Sequence, residues 1–199
     1  MVYGVTGSGK TTATTRISAA TGIPWTSVDD LTWEPGWVAV PEEEQRRKIS
    51  EVCARDEWLL DTAYAQWLDV PLARVELIVA LDYPRWVSLQ RLLRRTLARA
   101  IDKRPICNGN TETWREMFSR DSIIAWHFRS FTRKRQRIAE WSRQARPATD
   151  PARPATDPAR PATDQARPAT NEGGPRILRF TSPAALDQWV DSLEPVTTT

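Results

Sequence analysis

Gly4-Val5-Thr6-Gly7-Ser8-Gly9-Lys10-Thr11 matches G-x-x-x-x-G-K-[ST] at every fixed position. These residue types suit one chemistry. Glycines let backbone N–H groups turn inward around an anion, and a helix starting at Lys10 would aim its positive end at the same point. A lysine there reaches the terminal phosphates of a nucleoside polyphosphate. The threonine hydroxyl after it can join the shell of a hard cation such as Mg²⁺. Gly4, Gly7, Ser8, Gly9, Lys10, Thr11 and Thr12 are therefore the candidate nucleotide-binding residues.

Two carboxylates stand where a second half of such a site would be. Asp29 and Asp61 read as the C-terminal ends of the second and third strands. In open parallel sheets ligands bind at that edge. Phosphoryl transfer uses one carboxylate at the metal and one to take the acceptor's proton. Asp30 competes with Asp29, whereas Asp82, just before Tyr83-Pro84, reads as the end of a strand. Arg91, Arg94, Arg95 and Arg99 fall at i, i+3, i+4 and i+8, on one helix face. Such a cluster either neutralises charge on a transferring phosphoryl group, with Arg91 and Arg95 the leading candidates, or is a solvated basic face.

Strands alternating with helices would hold these residues. Met1–Val5 is a strand fragment with only three residues before Gly4, so either a start lies upstream or the central strand is cut short. Lys10–Ala20 reads as a helix stopped by Gly22, and Ile23–Val28 as a strand. Pro41 before Glu42, Glu43 and Glu44 opens a helix to about Arg55. Trp58–Leu60 and Val75–Leu81 read as buried strands. Pro84 opens a helix to about Ile101 with Leu89, Leu92, Leu93 and Leu97 on one face, and Asp121 caps another to about Arg143. Arg176–Phe180 is the last strand, and Ser182-Pro183 starts the last helix. The pattern predicts an α/β fold with a parallel sheet covered on both faces.

The chain has 199 residues, 40% of them hydrophobic, and a net charge of +3, which suits one domain with a real core. No run of 18 apolar residues exists, and no charged start precedes an apolar stretch, so neither a membrane partner nor secretion is expected and the expected location is cytoplasmic. Cys53, Cys107 and His127 are too few for a disulfide framework or a zinc site, so any metal should be held by oxygen. Charge is segregated: Asp29–Asp61 holds ten acidic and four basic residues, Arg85–Arg104 seven basic and one acidic. Residues 145–171 repeat the unit ARPATDP, whose recurring proline points to an extended, solvated insertion.

Several stretches together resemble the adenylate-kinase-like group of P-loop kinases, and more narrowly the bacterial topology modulation protein (FlaR-like) family. They are Gly4–Thr12, Val28-Asp29-Asp30-Leu31-Thr32-Trp33 with Glu34-Pro35-Gly36-Trp37, Trp58-Leu59-Leu60-Asp61 with Tyr64, Leu81-Asp82-Tyr83-Pro84-Arg85, and Asn108–Trp114. Thr62 and Ala63 stand where that family has Gly and Asn. The resemblance implies a three-layer fold with five parallel strands in order 2-3-1-4-5, and a lid over about 99–120 with Asn108, Gly109 and Asn110 as a flexible tip. It implies ATP and Mg²⁺ as cofactors, with Thr11 and Asp61 at the metal. Lys10, Asp29, Asp61, Arg91 and Arg95 become the catalytic set, acting on a nucleotide or other small-molecule acceptor.

Other readings remain open at this level. Trp33, Trp37 and Tyr64 either stack on an acceptor or pack in the core. Trp58, Trp86, Trp126, Trp141 and Trp189 read as core, Cys53 as buried and inert, and His127 as structural. Arg129–Arg137 is a dense basic run, read as a solvated helix face. Its alternative is a contact with nucleic-acid phosphates in a nucleotide-dependent DNA-binding regulator. A degenerate ATP binder without transfer is the third possibility.

Overall fold

The computed structural model describes residues 1–62, 64–102, 108–110, 123–145 and 174–193. The repeat beyond Ala145, most of the 99–120 segment, Ala63, Cys107 and Asp121 lie outside the described residues. The elements are β1 (Val2–Gly4), α1 (Lys10–Thr21), β2 (Trp25–Ser27), α2 (Val28–Thr32), β3 (Trp33–Glu34), β4 (Val38–Ala39) and α3 (Glu42–Cys53). They continue as β5 (Leu59–Thr62), α4 (Asp69–Leu72), β6 (Leu77–Leu81), α5 (Arg85–Asp102), α6 (Ile123–Gln144), β7 (Arg176–Phe180) and α7 (Pro183–Asp191). Among the described residues, no helix is long and apolar enough to cross a membrane.

Five strands form one parallel sheet in the order β2-β5-β1-β6-β7. Counted over the parallel strands alone, this is the expected 2-3-1-4-5. Successive side chains of a strand point to opposite faces. Val2, Leu59 and Val79 pack with Ala13, Ile17, Leu186 and Val190 of α1 and α7. Their neighbours Tyr3, Leu60 and Ile78 pack with Ile49, Val52 and Ile138 of α3 and α6. Burial of each large apolar side chain contributes about 1.5–3 kcal/mol, so the sheet is held from both sides. β1 is short, but Met1 lengthens its ladder: Val79 N–H donates to the Met1 carbonyl at 2.9 Å, and the Met1 amine donates to the Leu77 carbonyl at 2.8 Å. Burial drives that amine's pKa down to about 5.

Three expectations are corrected. β2 ends at Ser27, and Asp29 lies on the first turn of α2 rather than at a strand end. The cause is local: Ser27 Oγ caps the turn by accepting from Asp30 N–H at 3.4 Å, and two acidic residues favour a helix start there. On α5 the buried stripe is Ser88, Leu92 and Thr96, and Leu93 and Leu97 are exposed. The helix lies close to the β1–α1 loop through Ser88 and Leu92. Trp86, in its first turn, is 68% exposed instead of core, and Trp126 on α6 is also exposed. Trp141 does pack, edge-on to Tyr3 with centroids 4.8 Å apart, as does Trp189 against Phe180.

Candidate functional site

The β1–α1 loop is folded on itself. Ser8 donates its backbone N–H and its hydroxyl to the Val5 carbonyl, at 3.2 and 2.8 Å. Gly7 has φ 81°, and a Cβ there would stand 2.4 Å from the Ser88 carbonyl oxygen and 2.8 Å from Leu92 Cβ. No side chain fits between the loop and α5. Gly4 ends β1 beneath the loop, and Thr12 is exposed on the first turn of α1. α1 is capped by Gly9 with no side-chain hydrogen bond and has no acid in its first turn. Its first N–H groups and its positive end are thereby left for an anion. Lys10 Nζ donates to the Val5 carbonyl at 3.2 Å. Burial holds this amine below its ordinary pKa, against the pull of Asp61 and Asp29.

Asp61 is level with Ser27 on β2 and Val2 on β1. The Thr11 hydroxyl donates to its Oδ2 at 2.7 Å, and Val28 N–H to its Oδ1 at 3.1 Å. Burial raises the carboxyl pKa, and the Thr11 and Val28 hydrogen bonds and the Lys10 charge only oppose that rise. Asp29 is reached from another direction. Tyr64 donates its hydroxyl to Asp29 Oδ1 at 2.8 Å and accepts from Trp33 Nε1 at 2.9 Å. Burial, then the Asp29 charge, holds the Tyr64 phenol above its ordinary range, so it remains a donor. Arg91 donates to the Ser8 carbonyl at 3.3 Å, and the Arg95 charge acts on Lys10. The loop, both carboxylates and both leading arginines thus meet at one edge of the sheet. Among the described residues no group of three or more His, Cys, Asp or Glu could hold a metal. A cation here would rest on Thr11, Asp61 and the oxygens of its own ligand, a donor set that fits Mg²⁺.

The β3–β4 hairpin had no counterpart among the expected elements. Trp37 in its turn has φ 57°, a left-handed conformation that strains a bulky residue. Asn110 Oδ1 accepts from Trp37 N–H at 2.8 Å, and Asn110 Nδ2 donates to the Glu34 carbonyl at 3.0 Å. Asn108 Nδ2 donates to the Asp30 and Trp33 carbonyls at 2.9 and 2.8 Å. Asn108 and Asn110, expected as the tip of a lid, bond to the hairpin and α2 in this structure.

His127 keeps the structural role expected of it, now at the loop, and Lys134 escaped the sequence reading. His127 Nδ1 lies 3.1 Å from the Thr6 carbonyl in the loop. A carbonyl only accepts, so Nδ1 carries the proton, and burial keeps the ring neutral by lowering its pKa. Lys134, inside the supposedly solvated basic run, is 4% exposed. Both belong to the buried α6 stripe His127, Ser130, Phe131, Lys134 and Ile138, spaced i, i+3, i+4, i+7 and i+11. Mixed polarity hid that stripe, although its helical spacing was there to be read. Asp82 has a structural role, accepting from Arg179 Nε at 2.9 Å and pairing with Arg135 Nε at 3.1 Å. Cys53 is buried and its thiol is pushed up to about 12. A cavity of ≈500 Å³ between α5, α6 and β7 is lined by Arg85, Phe131 and Arg135 among others, and no loop residue reaches it.

No family model matches the chain, and no curated protein matches it significantly. Among solved structures, the unliganded crystal structure of a sugar kinase from Janibacter sp. HTCC2649 is similar over 96% of this chain and 91% of its own, at 16% identity and a TM-score of 0.45. That likeness is too loose to bear on the site.

Proposed function

We propose that the protein is a P-loop kinase that transfers the γ-phosphate of Mg-ATP to a small-molecule acceptor. The observation that carries this reading is the 2.7 Å bond between Thr11 and Asp61. It joins the loop's metal-binding hydroxyl to the carboxylate of the neighbouring strand, within electrostatic reach of Lys10 and Asp29. Thr11 and Asp61 would hold Mg²⁺, which neutralises phosphate charge when bound. The loop N–H groups and Lys10 bind the phosphates. Asp29, oriented by Tyr64, takes the acceptor hydroxyl's proton as that oxygen bonds to the γ-phosphorus. The bond to the bridging oxygen breaks, and ADP leaves with its electron pair. Arg91 and Arg95 neutralise the charge that spreads over the transferring group. The narrower assignment to the FlaR-like family rests on the Asp29–Trp37 and Trp58–Tyr64 stretches.

The regulator reading has less support. Of the five cations in Arg129–Arg137, Lys134 is buried and Arg135 pairs with Asp82, so fewer remain to meet a phosphate backbone. The test is ADP release from Mg-ATP, with and without nucleoside monophosphates, nucleosides and small hydroxylated metabolites. Acceptor-stimulated release in the native chain, abolished in Lys10→Ala, is expected. ATP binding without stimulation by any acceptor would overturn the transfer reading.

A further inference from the structure

α6 packs against the phosphate loop and carries an unusual buried side chain. Its His127 holds the Thr6 carbonyl at 3.1 Å, which fixes the helix against the loop. Two turns further along the same face stands Lys134, 4% exposed. Ser130 lies between them, and Ser130 Oγ and His127 Nε2 are buried without a hydrogen-bond partner. No hydrogen bond or ion pair holds the Lys134 amine among the described residues. Two polar atoms on this buried face, beside the Lys134 side chain, are thus unsatisfied.

A buried cation without a partner is costly, and a helix face against a core ordinarily carries an apolar residue there. The surroundings say what the amine faces. After desolvation, the largest influence on it is the charge of Lys10, followed by Arg133, Asp29 and Arg137. Lys134 therefore lies within electrostatic range of the residue assigned to the terminal phosphates and of the carboxylate assigned to the acceptor. Lys10, Lys134, Arg91 and Arg95 stand against Asp29 and Asp61. Burial holds the Lys134 amine down to about 7 and lowers Lys10 as well, so a bound phosphate anion would draw protons onto both and restore the positive charge that matches Mg-ATP.

We propose that Lys134 is a second phosphate-binding lysine, donating from α6 to the terminal phosphate of a bound nucleoside triphosphate while Lys10 donates from the loop. This rests on the reading of the loop as a nucleotide site. A cation at the terminal phosphate discriminates triphosphate from diphosphate, since only the former brings an anion to it. The phosphate also relieves the burial penalty, so the cost carried by the empty protein becomes selectivity in the complex.

The experiment is titration calorimetry of the full chain with Mg-ATP and with Mg-ADP, for the native protein, Lys134→Met, Lys134→Gln and Lys10→Ala, beside their thermal midpoints. Losing a charge-assisted hydrogen bond predicts Mg-ATP affinity lower by about ten- to hundredfold in both Lys134 variants. Mg-ADP affinity should be unchanged. The midpoint of Lys134→Met should be equal or higher, because an unpaired buried charge is gone. A residue serving only structure would lower the midpoint and leave the ATP-to-ADP ratio alone. Unchanged Mg-ATP affinity in Lys134→Gln, or parallel loss of both nucleotides, overturns the proposal while the loop reading stands. Failure of the native chain to bind either nucleotide overturns the loop reading itself, and this proposal with it.

Discussion

The phosphate loop and the β3–β4 hairpin each turn on a glycine in the left-handed region, Gly7 at φ 81° and Gly36 at φ 83°. Around Gly7 the backbone of α5 closes in, whereas nothing lies within 4 Å of a Cβ built at Gly36. The loop is a rigid cradle, contiguous in sequence and completed by Asp61 from the adjacent strand. The hairpin, on the proposed acceptor side, is assembled from segments more than seventy residues apart and held by side-chain bonds from Asn108 and Asn110. One region is closed around its turn by packed backbone, and the other is held by side-chain bonds that only the fold supplies.

Alanine at the two glycines tests that contrast most severely. Gly36→Ala meets only the conformational cost of a left-handed residue, about 1–2 kcal/mol. Gly7→Ala adds a 2.4 Å collision with a helical carbonyl that cannot move without unwinding α5. Its expected cost is about 3 kcal/mol or more, with nucleotide binding lost. Denaturant melts of both variants measure it. Equal losses would mean that α5 yields, and that the cradle is no stiffer than the hairpin.

Asp61→Asn comes next in size and separates catalysis from stability within the cradle. Removing the charge at the proposed metal should lower kcat by about 100- to 1,000-fold. Stability behaves oppositely. Burial raises the carboxyl pKa in the folded chain, so above the unfolded value of ~3.9 the folded state retains the proton more firmly. Its contribution to stability therefore falls as pH climbs from there through the folded pKa, and asparagine removes that decline. The midpoint of Asp61→Asn at pH 7 should equal or exceed that of the native chain, and the acid-side slope should flatten. A lowered midpoint at pH 7 would mean that the Thr11 and Val28 bonds outweigh burial.

The same contrast governs what could be read without coordinates. The cradle was legible because its chemistry is contiguous: glycine spacing, Lys10, Thr11 and the helix after them are local, and Asp61 is one parallel strand away. The sheet order followed from alternating strands and helices together with the resemblance. The hairpin was not legible, because two-residue strands carry no periodicity and Asn110 reaches Trp37 only through the fold. α2 was misassigned because Ser27, Asp29 and Asp30 make a capping signal too short to outweigh a strand pattern. Lys134 was missed for a different reason. Basic residues at neighbouring positions suggest solvent, and only the packing of α6 on the loop shows which of them turns inward.

Asn110→Ala, the smallest of these changes, asks whether the two regions are energetically separate. The variant loses the bond from Trp37 N–H and the bond to the Glu34 carbonyl. Asn110 is buried, yet Glu34 is exposed and can turn to water, so the net cost should be near that of the Trp37 bond, about 1–2 kcal/mol. A chain of this size would show a midpoint lower by about 2–8 °C. Trp37, already strained, loses the contact that offsets its left-handed backbone, so the hairpin should loosen first. Mg-ATP affinity should hold within about twofold, since the Asn110 bonds to Trp37 and Glu34 lie in the hairpin rather than the loop, while the acceptor KM should rise several-fold. If Mg-ATP affinity falls with the acceptor KM, the hairpin and the cradle form one cooperative unit. Acceptor choice could then not be altered without disturbing the phosphate site.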